Sequence, residues 1–184
     1  MAYEKKNIRA VIEEINSRKI YLPAIQRKYV WDDDQITRLM DSIMLGYPIG
    51  TFLFWKVRKS IINKKEYSMY EFIKDFHERD VYKNPSAPQP FPIGSDEETI
   101  WAVLDGQQRL TSLYIALQGS MSRKLPNKRW KNDDAFPIKE LYLDLHSQRT
   151  DEEDISYEFK FLTQEEAKKQ KDDKLWYLVK DILK

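Results

Sequence analysis

Residues 99–117 read TIWAVLDGQQRLTSLYIAL. An apolar run, Ile100 to Leu104, goes straight into Asp105-Gly106-Gln107-Gln108-Arg109, and a second apolar pattern opens at Leu110. The first run has the length of a buried strand. The second recurs at helical spacing and ends at Gly119, a natural helix stop. Any fold of this chain must therefore hold a strand near 100–104 that turns within a few residues into a helix near 107–118. Two adjacent glutamines and an arginine sit at that junction, between two pieces of core.

The junction admits two readings. Asp105 and Gln108 have the spacing of a capping box, in which each side chain bonds the other's backbone N–H. Three further pairs share that spacing: Asp32 with Gln35, Ser68 with Glu71, and Thr163 with Glu166. Capping leaves the other residues unexplained. Gly106 lets the backbone turn sharply and leaves room for close approach to the main chain. N–H groups at a helix start favour an anion, and Arg109, one turn in, adds a planar cation suited to phosphate. Gln107 offers an amide that can orient water or read a base edge. Strand, glycine turn, helix start and arginine together describe a phosphate cradle. The G-x-x-x-x-G-K-[ST] loop is absent.

The rest of the chain narrows the possibilities. At 184 residues, one domain that buries a real core is expected. Charge is high at 33% but balanced, 31 basic against 30 acidic, so any attraction to nucleic acid must be local. There is no cysteine, hence no disulfide and no zinc-thiolate site. The two histidines, His77 and His146, are too few for a His-rich metal site. The N-terminus lacks a signal-peptide apolar block and no run is long enough to span a bilayer, so a cytoplasmic protein with no membrane partner is expected.

Helices are predicted at 6–17, from Ile8, Val11, Ile12 and Ile15, and after Asp32, from Ile36, Leu39, Met40, Ile43 and Met44, stopping at Gly46. Strands are predicted near 49–57 and 100–104. Residues 58–98 form an excursion with a helix near 69–79, on Met69, Phe72, Ile73 and Phe76, and a proline-rich loop after it. A basic loop, SMSRKLPNKRWKNDDAFP, follows Gly119. In 136–184 a strand with Leu141, Leu143 and Leu145 on one face pairs as a hairpin with ISYEFKFL. Thr163 and Glu166 cap a short polar helix, and KLWYLVKDILK opens as strand or helix. From the abrupt end a fragment of a longer protein is expected.

A second polar constellation, IQRKYVW, crowds Gln26, Arg27, Tyr29 and Trp31 just before a helix. Tyr29 and Trp31 alone fit an aromatic lid packed on the core. Gln26 and Arg27 do not, and an arginine beside aromatic faces is a platform for a base or phosphate.

LPAIQRKYVWDDDQITRLMDSIMLGYPIGTFLFWKV, together with AVLDGQQRLTSLYIAL, resembles the N-terminal domain of GmrSD-type modification-dependent (Type IV) restriction enzymes and related phage-defence proteins. The likeness is close over 7–57 and 99–118 and only topological elsewhere. It implies an α+β fold with a ParB/sulfiredoxin-like core, a small mixed sheet with packed helices, and a single domain over 1–184. It implies binding and hydrolysis of a nucleoside triphosphate by Asp105, Gly106, Gln107, Gln108 and Arg109, with Gln26, Arg27, Tyr29, Trp31 and Thr111 lining the nucleotide site. The two motifs are expected to converge on one pocket, with Mg²⁺ held through Asp105. Full-length relatives continue into an HNH-type nuclease that acts on DNA; this chain has no H-N-H pattern. A ParB-like DNA-binding or nicking module without NTP turnover is the competing expectation, supported by Trp130 among the cations of SRKLPNKRWK. A third possibility is a scaffold with relic motifs.

Overall fold

The computed structural model describes residues 4–24, 28–63, 67–79, 98–147, 156–169 and 173–184. In chain order the elements begin with α1 (Ile8–Asn16), β1 (Ile20–Pro23), α2 (Asp33–Met44), β2 (Leu53–Arg58) and α3 (Lys59–Asn63). β3 (Met69–Tyr70), β4 (Asp75–His77), β5 (Thr99–Asp105) and α4 (Gln107–Gln118) follow. The chain continues through β6 (Ser120–Ser122), β7 (Glu140–Asp144), β8 (Phe159–Leu162), α5 (Gln164–Lys168) and β9 (Trp176–Leu178). This is the expected mixed α+β class. Among the described residues no helix is long and apolar enough to cross a membrane.

The chain gathers into two compact units. The first comprises Met1–Lys28, Thr51–Phe72 and Asn84–Gln107. Its sheet is mixed, in the order β2-β5-β1-β3, with β5 parallel to β1 and antiparallel to β2. Tyr21, Val57, Ile62, Met69, Ile100 and Ala102 form its core, closed by Trp55 and Ile61. Asn7 caps α1 by accepting from the Ala10 N–H at 2.8 Å, and Ile12 and Ile15 are the buried side of that helix.

The second unit comprises Tyr29–Gly50, Ile73–Lys83 and Gln108–Lys184. β4 and β6 pair in parallel, and β8-β7-β9 form an antiparallel sheet. The expected β7–β8 pairing is present, as are the capping boxes at Asp32–Gln35 and Thr163–Glu166. Tyr142, Leu162 and Ala167 form a core with Trp176 and Leu178 against it.

Three expectations are corrected. The helix near 69–79 is absent: Met69–Tyr70 is β3, paired with β1, and Asp75–His77 is β4. Met69, Phe72, Ile73 and Phe76 are buried as predicted, but Met69 and Phe76 lie in paired strands and Phe72 and Ile73 in the segment between them; sheet pairing outweighs a local cap. The basic loop opens as a strand, β6, and holds a 3-10 turn at Asp133–Ala135. Leu145 lies past the end of β7 and is 52% exposed, whereas Tyr142 is buried. Adjacent Leu141 and Tyr142 are both buried, so both faces of β7 are covered and one-sided alternation does not apply. The proline-rich loop YKNPSAPQPFPIGSDEE, residues 82–98, falls outside the described residues except for Glu98.

Two buried carboxylates close the second unit's connections. Asp41 of α2 accepts from the backbone N–H groups of Ser156 and Tyr157, at 3.1 and 2.7 Å. Asp144 accepts from those of His146 and Leu175, each at 3.0 Å. Removing a buried acceptor leaves its donors unsatisfied, at on the order of 1–3 kcal/mol each. We predict that Asp41→Ala lowers unfolding free energy by about 3 kcal/mol in urea denaturation. Asp41→Asn, which keeps one acceptor oxygen, should lose less than half as much. Equal losses would mean that the charge, not the acceptor, matters.

Candidate functional site

The junction forms as the spacing predicts, with one shift of register. β5 ends at Asp105, Gly106 has a left-handed backbone (φ 84), and α4 opens at Gln107. Gly106 thus occupies the position before the helix, where a residue without a Cβ takes the left-handed turn at no steric cost. Asp105 stands one residue too early to be the cap. It is exposed at the strand's end, opposite Leu53 of β2. The Gln108 amide oxygen, which a capping box would turn back on its own helix, instead accepts from the Val30 N–H at 3.0 Å.

From Gln107 to Leu117 every residue of α4 except Arg109 is buried. Within the second unit its polar side chains reach the Tyr29–Gly50 segment. Tyr29 Oη and Ser112 Oγ share a hydrogen bond of 2.8 Å, with the Tyr29 ring edge-on to Phe76 at 5.7 Å. Burial pushes the Tyr29 phenol far above its usual pKa; the bond to Ser112 opposes the shift but does not cancel it. Tyr29 therefore stays protonated and acts as an anchor rather than as an acid or base. Arg109 Nη1 donates to the Ile49 carbonyl, beside Gly50, whose backbone is also left-handed (φ 83).

Arg123 staples the same segment from β6's far side. Its Nε donates to Asp33 at 2.7 Å and its Nη2 to the Trp31 carbonyl at 2.8 Å. The guanidinium lies 5.1 Å from the Phe76 ring centroid. Burial raises the Asp33 pKa, and the Arg123 cation counteracts it. The sequence marks Arg123 only as one cation of a basic loop, and nothing in the spacing singles it out. Gly50 was equally hidden, although the paired glycines of GYPIG are a visible signal of special backbone.

The structure therefore joins the Tyr29–Trp31 end of one motif to the Gln108–Ser112 end of the other. Gln26 and Arg27 lie outside the described residues. Thr111 is buried at 2% exposure, and Gln107 is buried too. Asp105 is exposed, and Gly106, Arg109 and Trp31 are partly so. Among the described residues no three His, Cys, Asp or Glu side chains gather as a metal cage. The single exposed carboxylate of Asp105 is one ligand of the six or more that a hard divalent cation takes.

An uncharacterised protein of Methanocaldococcus jannaschii is 29% identical over 117 residues, which cover 64% of this chain. The matched part spans only 18% of that relative's length. The family model for the GmrSD restriction endonuclease N-terminal domain matches residues 8–184, from the first residue of α1 to the last of the chain. The chain belongs to the family of GmrSD restriction endonuclease N-terminal domains.

Proposed function

We propose that this domain binds and hydrolyses a nucleoside triphosphate, as the regulatory part of a restriction or phage-defence protein. One observation carries the proposal. A sheet strand ends in an exposed Asp105 and passes through the single left-handed residue Gly106 into the start of α4, with Arg109 one turn in. Helix-start N–H groups and an arginine favour phosphate oxygens. A strand, motif and helix in that order are also what a ParB/sulfiredoxin-like core requires. Gln107 or Gln108 positions the attacking water, Gln108 with its amide NH2 alone, since its amide oxygen holds the Tyr29–Trp31 segment. Water adds to the terminal phosphorus as the bond to the bridging oxygen breaks, leaving nucleoside diphosphate and phosphate. Mg²⁺, when bound through Asp105, would neutralise phosphate charge. Gln26 and Arg27 complete the nucleotide site on the family's pattern, and a nuclease domain acting on DNA is the partner.

A DNA-binding role has its own observation. Lys128, Arg129 and Lys131 are exposed, and among the described residues no carboxylate pairs with them. Trp130 between them is 48% exposed, with its edge fixed on Phe136 at 5.4 Å. Cations around a rigid aromatic face suit a nucleic-acid strand. Replacing all three cations by alanine should weaken binding of a DNA oligonucleotide and lower the slope of log K against log salt by about 3. An unchanged slope would return the loop to a solvated turn.

Asp105 decides between chemistry and architecture. Since it is not the cap, Asp105→Asn should leave the melting temperature within a degree or two, while removing the charge that holds Mg²⁺ should abolish most phosphate release in the full-length protein. Unimpaired phosphate release would take Asp105 out of the mechanism. For Arg109→Ala we predict MgATP binding weaker by on the order of ten- to a hundredfold, the loss of a charge-assisted bond. The fold should survive, with modest destabilisation from the lost bond to Ile49. Wild-type affinity in a destabilised variant would make Arg109 purely structural.

A further inference from the structure

Gly46 and Gly50 flank Tyr47-Pro48-Ile49, and both are left-handed, with φ of 75 and 83. Their surroundings differ. A Cβ on Gly46 would meet no heavy atom within 4 Å. A Cβ on Gly50 would collide with Nη1 of Arg109 and lie 3.4 Å from its Cζ. That same Nη1 donates to the carbonyl of Ile49, the residue before. The guanidinium therefore rests over the bare Cα of Gly50 while one of its N–H groups is fixed on the adjoining peptide.

We infer that Gly50 is a positioning residue: the missing Cβ makes the seat that fixes where the Arg109 guanidinium lies. An arginine side chain is long and freely rotating. One N–H fixed on a carbonyl sets the plane of the whole fork, so its orientation need not be found when a ligand arrives. The colliding atom is the far end of a flexible side chain. A residue larger than glycine at 50 therefore displaces the guanidinium without forcing backbone apart, and its main consequence is for what Arg109 holds. Backbone strain from φ > 0 is the competing explanation for Gly50. Gly46 has the same strain and no contact, and so serves as the internal control.

The consequence for binding rests on the nucleotide function proposed above; the seat itself rests on the contacts. The experiment therefore has two readouts on wild type, Gly46→Ala, Gly50→Ala, Arg109→Ala and the Gly50→Ala/Arg109→Ala pair. The first is calorimetric affinity for magnesium tripolyphosphate, which carries phosphates without a base, and for MgATP. Gly50→Ala should weaken both at least fivefold, Gly46→Ala less than twofold, and the pair should bind no more weakly than Arg109→Ala alone. If Arg109→Ala is impaired and Gly50→Ala binds like Gly46→Ala, Gly50 does not position Arg109. The second readout is the urea midpoint. Gly50→Ala should cost more than Gly46→Ala when Arg109 is present and the same when it is alanine, a coupling that a double-mutant cycle isolates. Additive midpoints would overturn the seat. Wild-type affinity in Arg109→Ala with coupled midpoints would overturn the nucleotide function and leave the seat standing.

Discussion

The burial of α4 along nearly its whole length is the constraint on which the rest of this structure depends. A helix with one solvent face can turn its polar side chains outward. α4 cannot, since its residues from Gln107 to Leu117 are buried apart from Arg109. A buried polar group without a partner costs free energy comparable to a lost hydrogen bond or more. Three polar residues on its second-unit part are accordingly connections. Gln108 takes the Val30 N–H, Ser112 the Tyr29 hydroxyl, and Arg109 reaches the Ile49 carbonyl. The glutamine–arginine run that seemed misplaced between two pieces of core thus fastens the Tyr29–Gly50 segment to the helix.

Function and architecture then divide the motif between them. Tyr29, Ser112 and the amide oxygen of Gln108 are committed to holding the chain. Asp105, Gly106 and Arg109 keep exposure, and the nucleotide function proposed above falls on them. Arg109 belongs to both groups, fixed at one N–H and partly accessible elsewhere. A side chain fixed this way is pre-organised, and pre-organisation lowers what a ligand must spend in ordering the site.

Much of this was legible from the chain. α4 lies where its apolar pattern and Gly119 place it, because few residues intervene between strand and helix and so few arrangements are possible. The capping boxes at Asp32 and Thr163 formed for the same local reason. The Ser68–Glu71 pair did not. There Glu71 lies 3.2 Å from Arg18, the Ser68 carbonyl accepts from Ala24, and Met69 is sealed into the sheet. A cap contributes about 1 kcal/mol, and full burial of a methionine up to about 3. Local spacing cannot reveal which long-range partner is available. For the same reason Gly50 and Arg123 could not be read: one is explained by a side chain 59 positions later, the other by a carboxylate 90 positions earlier.

Asp33 shows what holding this segment costs. Burial raises its pKa, and Arg123 only partly restores the ionised form. A carboxyl whose pKa is higher in the folded state than in the unfolded favours folding most when protonated. Its contribution is full below the unfolded pKa and is lost as pH rises through the folded one. At neutral pH the ionised Asp33 is therefore a burden on stability, and an apolar residue of similar size would remove it. That residue would also leave the Arg123 guanidinium without its anion, and Arg123 is what grips the Trp31 carbonyl beside Phe76. The carboxylate makes sense as part of a fixture that sets the path of the Tyr29–Trp31 segment next to α4. Stability is given up for position: the ion pair fixes the path of the segment, which apolar packing alone would leave to shape.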